Sequence, residues 1–144
     1  MPDEIASQLR SVVGRMGRGL RYTRTSTELS PSQYDVLATV SFRERVRLSD
    51  LASIEGINPT LLSRIVGKLE EAGLVVREQD EDDRRVAHVA VTEKGRELHA
   101  RIRSERTDVL AVALDGLEPG ELELLVGALP VLESLAVTIR ERAL

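Results

Sequence analysis

The residues of this 144-residue chain whose types and spacing could do chemistry lie between Asn58 and Arg85. At helical spacing, Thr60, Leu61, Ser63, Arg64, Gly67 and Lys68 fall on one side, and Leu62, Ile65, Val66 and Leu69 on the other. The second set is an apolar stripe for packing. The first carries short hydroxyls, a long cation and little bulk. Those are the tools for reading base-pair edges: arginine for guanine, a hydroxyl for phosphates or edges, a methyl for the thymine methyl. A helix docked only for packing could carry the same residues as a solvated face. Further on, Arg84 and Arg85 follow four acids, Asp80, Glu81, Asp82 and Asp83. Acids near a phosphate backbone need a purpose of their own. Arginine–carboxylate pairing is geometrically specific, so Asp82 or Asp83 is expected to hold an arginine, Arg84 first, towards a minor groove. The alternative is a solvated tip.

Other chemistry is thinly represented. The absence of cysteine removes disulfides, thiolate metal sites and thiol switches. His88 and His99 are not at i, i+4 spacing and no H-E-x-x-H occurs, so metal ligation is not expected. No G-x-S-x-G elbow or phosphate loop is present, and the carboxylate runs read as solvated surface, which argues against an enzyme. The string GRMGRG matches neither nucleotide fingerprint and reads as close helix packing or a local kink. Two tyrosines, one phenylalanine and no tryptophan leave too few rings for stacking single-stranded nucleic acid.

The elements that must position these residues are marked by caps. Asn58 is an N-cap candidate, Pro59 sits at the first helical position, and Ile57 with Leu62 forms a staple, so a helix is expected over about 59–72 with Gly73 just past its end. Ahead of it, Ser49 reads as the cap of a short helix, Asp50–Glu55, stopped by Gly56. Two helices joined by a short glycine-containing turn make a helix-turn-helix. After Gly73 the period becomes alternating. LVVREQ and VAHVAVT are strand-like, and the six polar residues DEDDRR between them form a protruding tip.

On LSDLA, NPTLLSRIVGKLEEAGLV, the D-x-R of Asp82 and Arg84, and VTEKG, the chain resembles the MarR family, the multiple-antibiotic-resistance-repressor type of transcription regulator. The resemblance implies a mainly α fold with a small β-wing. A winged helix-turn-helix over about residues 30–92 would be flanked by dimerisation helices over 3–24 and 93–144, all within one domain, with a short strand at RERVR beside the wing. It implies a sequence-specific regulator of double-stranded DNA, a ligand-responsive repressor acting as a homodimer on a near-palindromic operator. The DNA-binding residues would be Asn58, Thr60, Leu61, Ser63, Arg64, Lys68, Arg84 and Arg85, with Asp82 supporting the wing. No cofactor is implied; a small aromatic effector is.

The flanks fit this organisation. Ile5, Leu9, Val12, Val13, Met16 and Leu20 recur at helical spacing, and the arginines between them read as a solvated face. Thr23–Leu29 reads as a loop. Ser30, Pro31 and Gln33 form a capping box for a helix to about Arg43, stapled by Leu29 and Tyr34. Thr92 caps a long helix to about Leu114, and Pro119 opens a last one that Pro130 should kink. Leu122, Leu125, Val126, Leu129, Leu132, Leu135, Ala136 and Ile139 give that helix a wide apolar stripe, expected to pair with the first helix in a homodimer; an intramolecular core is the alternative.

The net charge of −4 is unusual for a DNA binder. Residues 48–92 carry five basic against nine acidic side chains. DNA binding is then expected only if Glu55, Glu70 and Glu71 face away from it. The acidity favours a rival reading, a winged-helix protein-interaction module without DNA affinity. With no signal-peptide pattern and no apolar run judged long enough for a membrane span, a cytoplasmic protein with no membrane partner is expected.

Overall fold

A computed structural model describes residues 1–21 and 28–143. The element order is α1 (Pro2–Arg21), α2 (Pro31–Arg43), β1 (Arg45–Arg47), α3 (Leu48–Glu55), α4 (Pro59–Glu71), β2 (Val75–Gln79), β3 (Ala87–Val91), α5 (Glu93–Asp115) and α6 (Pro119–Ala143). Most of the expected loop at Thr23–Leu29, and the end expected for α1, lie outside the described residues.

The chain divides into two units, Met1–Val109 and Leu110–Leu144, with the boundary inside α5. In the first, the three strands form an antiparallel sheet in the order β1-β3-β2. Val46 faces Val89, and Val75 faces Val91. Val36, Leu37 and Val40 of α2, Leu51 of α3, Leu62, Ile65, Val66 and Leu69 of α4, and Leu98 and Ile102 of α5 close over these valines as one core. All four stripe residues of α4 are therefore buried.

Local chemistry explains the boundaries. Ser30 and Gln33 form the expected reciprocal capping box on α2, and Leu29 and Tyr34 lie half-buried against the core. Asn58 accepts from the Leu61 amide at 2.8 Å, and α4 begins at Pro59. Gly56 ends α3 in the left-handed conformation at φ 65°, which a glycine adopts without a Cβ penalty. The start of α3 departs from expectation. The helix begins at Leu48, two residues earlier, and Ser49 lies inside it rather than capping it. Strand β1 extends the chain up to Arg47, so the helix starts where the ladder stops. That strand is entered through Glu44, a non-glycine residue at φ 65° whose carboxylate pairs with Arg96 of α5.

In the second unit, α5 ends in a turn at Gly116 and α6 starts at Pro119, as expected. The helix assignment continues through Pro130. Leu124, Val126, Leu129, Val131 and Ile139 are all more than half exposed. Contrary to the sequence expectation, α6 is long and apolar enough to cross a membrane by length and composition, with a mean hydropathy of 1.8. Its acids are Glu121, Glu123, Glu133 and Glu141, which leaves Leu124–Leu132 uncharged.

Candidate nucleic-acid interface

The side of α4 away from the core presents two distinct surfaces. Asn58, Thr60, Leu61 and Arg64 line a shallow outward concavity of about 430 Å³. Ser63 does not belong to it. It turns towards the hairpin and lines, with Arg47, Ser49, Arg85 and Val86, a cleft of about 410 Å³ between α3, α4 and the wing. Lys68 lies one turn further along, exposed, at 3.7 Å from Glu71. The sequence had grouped Ser63 with the outward face, because a helical period gives an angle around the axis but not which neighbour stands there.

The acids that weighed against DNA binding are engaged elsewhere. Glu70 accepts from the Arg77 amide at 3.1 Å and lies 3.8 Å from its guanidinium; Glu71 pairs with Lys68; Glu55 accepts from the Thr39 hydroxyl. None of the three lines the outward concavity of α4.

The wing tip uses its acids to build its own turn. The Asp80 carboxylate accepts from the Asp82 amide at 2.9 Å, and this bond leads the causes that hold its pKa below the usual carboxylate value. Asp83 accepts from the Arg85 amide at 3.0 Å and from Arg85 Nε at 3.2 Å. The expected hold on an arginine falls to the second of the two aspartates offered, Asp83, and its partner is Arg85 rather than Arg84. D-x-R occurs twice in overlap, and the pair that closes is Asp83 with Arg85, not Asp82 with Arg84. The Asp83 carboxylate folds back on the amide two residues on, as aspartates do in turns, and this sets it beside Arg85 Nε. The carboxylate of Asp82 and the guanidinium of Arg84 bond to no other described residue.

Sequence reasoning passed over Arg77. Strand alternation puts it on the same face as Val75, the face that packs towards α4, where an apolar side chain is the rule. Its guanidinium reaches α4, where Nη2 donates to the Ser63 carbonyl at 2.7 Å and both terminal nitrogens donate to Ser63 Oγ at 3.3 Å. The available signal was a charge two residues after a buried valine. On the opposite sheet face, Arg45 pairs with Glu78 at 3.1 Å and donates to His88 Nδ1 at 3.4 Å, which gives that buried histidine a structural role. Among the described residues no three His, Asp or Glu side chains come close enough together to hold a metal.

A second cluster joins α2 to α5. The Arg106 guanidinium lies 3.8 Å from the centre of the Tyr34 ring, and His99 lies 5.9 Å from it. Burial, then Arg103 and Arg106, push the His99 pKa below its ordinary value; burial raises that of Asp35 against the pull of Arg21 and Arg106. Arg106 Nε is buried without an acceptor.

Comparison with known proteins agrees with this geometry. Residues 29–87 match the MarR family. An uncharacterized HTH-type transcriptional regulator of Mycobacterium bovis is 31% identical over 131 residues, 91% of this chain and 92% of its own. Among solved structures, a transcriptional regulator from Pseudomonas aeruginosa aligns with a TM-score of 0.79 at 31% identity, over 92% of this chain and 94% of its own. Bordetella bronchiseptica BpsR, whose DNA binding is regulated by 6-hydroxynicotinic acid, shares the fold with a TM-score of 0.66 at 22% identity, over 90% and 98% of the two chains. A reading helix seated on a buried stripe, a wing beside it and these relatives lead to one assignment: the chain belongs to the MarR family of winged helix-turn-helix proteins and is a DNA-binding transcription regulator.

Proposed function

We propose that the chain is a non-catalytic, ligand-responsive repressor of the cytoplasm that binds a near-palindromic operator as a homodimer. Two α4 helices enter successive major grooves, and the wings reach the flanking minor grooves. Arg64, with Asn58, Thr60 and Leu61 around it, reads base edges. Lys68 and Arg85 contact phosphates, and Arg84 enters the minor groove. The observation that carries this reading is the outward concavity of α4, lined by short polar groups, one leucine and one arginine, with no acid among its residues.

Homodimerisation is supported by the apolar side chains exposed on α1 and on α6, each more than a single surface helix carries. Effector control is a shift between two spacings of the reading helices. BpsR is regulated by an aromatic acid, and the Tyr34–His99–Arg106 cluster offers matching chemistry, a ring, a cation and a buried donor without an acceptor.

The test is titration of the full chain with random duplex DNA at low salt, followed by footprinting upstream of its own gene. Arg64→Ala should weaken operator binding by roughly 1–3 kcal/mol and relax preference at one position per half-site. Equal loss on random DNA would make Arg64 a phosphate contact. No binding by the wild type at low salt would leave the protein-interaction module as the better reading.

A further inference from the structure

The bond pattern around Ser63 has a chemical consequence for the cleft it lines. A serine hydroxyl can donate one hydrogen bond and accept two. Here both terminal nitrogens of Arg77 donate to Oγ at 3.3 Å, so its acceptor capacity is taken by groups that can only donate. Its own hydrogen remains. Helical hydroxyls commonly donate that hydrogen to the carbonyl one turn back, as Ser53, Thr107 and Thr138 do at 2.9–3.2 Å. Ser63 makes no such bond to Pro59.

Two features keep Arg77 in place. Its Nη2 also holds the Ser63 carbonyl at 2.7 Å, and Glu70 stands beside its Nε. The hydroxyl shares the cleft with Arg47, Ser49 and Arg85, and no acid lines it.

We propose that Arg77 is a positioning residue that makes Ser63 an obligate hydrogen-bond donor to a DNA backbone phosphate seated in the cleft between α4 and the wing. A donor flanked by two arginines is matched to an anionic oxygen. A base edge has no comparable claim, because the cleft faces the wing and the base-reading concavity lies on another side of the helix. This inference rests on the DNA-binding reading above and adds to it the polarity of one contact and the residue that sets it.

The experiment measures binding of the full chain to random and operator duplexes across a salt series, for wild type, Ser63→Ala, Arg77→Lys, Arg77→Met and the double variant S63A/R77K. Lysine keeps the charge but is shorter and lacks the planar fork that sets two nitrogens on Ser63 Oγ. Ser63→Ala and Arg77→Lys should each weaken binding on the order of tenfold, equally on both duplexes. Neither should change the slope of log affinity against log salt, because neither removes a charge. The double variant should be no weaker than the single ones.

Additive losses would overturn the positioning role. Loss confined to one base position would overturn the phosphate assignment. If Arg77→Lys bound normally while Arg77→Met lost affinity and about one unit of salt slope, Arg77 would itself be the phosphate contact. Thermal unfolding of each variant separates lost binding from lost folding. Failure of the wild type to bind either duplex would refute the DNA-binding reading, whereas normal wild-type binding with uncoupled variants would refute only this inference.

Discussion

Whether the acidic residues of the wing help or hinder is decided one side chain at a time. Asp83 holds both the amide and Nε of Arg85, while the carboxylate of Asp82 bonds to no other described residue. Two neighbouring aspartates should therefore respond oppositely. Asp83→Ala should weaken operator binding by about 0.5–1.5 kcal/mol although it removes a negative charge, because the turn and the direction of Arg85 are lost. Asp82→Ala should strengthen binding slightly, more so at low salt, because it removes only repulsion. Affinities of both variants at two salt concentrations check this; tighter binding by Asp83→Ala at both would show the pair to be incidental. The sequence contained both D-x-R registers. Choosing between them required the backbone path of the tip, which puts the Asp83 carboxylate on the Arg85 amide.

At the scale of elements, the joint between α4 and α5 fixes the reading helix to the rest of its unit. The Thr92 hydroxyl donates to the Gly73 carbonyl at 2.6 Å and accepts from the Gly95 amide at 3.1 Å. Lys94 Nζ donates to the Ala72 carbonyl at 2.8 Å, a cation at the helix C-terminus where the dipole favours one. Gly95 lets the first turn of α5 lie directly on the start of β2. A Cβ there would stand 2.1 Å from the Leu74 carbonyl oxygen and 3.0 Å from Val91. Gly95→Ala should cost roughly 1–3 kcal/mol or more, since backbone must move to admit it. A midpoint in thermal or urea unfolding equal to that of the wild type would refute the close approach. VTEKG was legible as a capped helix start. That its glycine serves a backbone contact with β2 was not, because that contact joins residues twenty-one apart in the chain.

For the whole molecule, the largest unsatisfied feature is apolar surface. Leu124 and Ile139 of α6 are 77% and 66% exposed, and Ile5, Val13 and Met16 of α1 are each more than half exposed. A second copy that covered these faces would explain why the sequence keeps them apolar. Sedimentation should give a dimer at micromolar concentration. Leu129→Glu should shift the equilibrium towards monomer and weaken operator binding steeply, since both half-sites are engaged only by the pair. A wild-type monomer at that concentration would refute the dimer.

Local signals marked the helices, strands β2 and β3, and the division of α4 into a core stripe and a polar face, while β1 was expected only through the resemblance. Caps, turn glycines and a change of period act within a few residues, so one chain read in order contains them. The core stripe Leu62, Ile65, Val66 and Leu69, the cap at Asn58 and the helix start at Pro59 all follow from that range of interaction. The tertiary structure decided which neighbours the outward residues meet. It separated Ser63 from Arg64, brought Arg77 across fourteen residues to Ser63, and turned Glu70 towards Arg77. Those outcomes depend on the twist and register of the sheet against α4, which are set by the packing of the whole core.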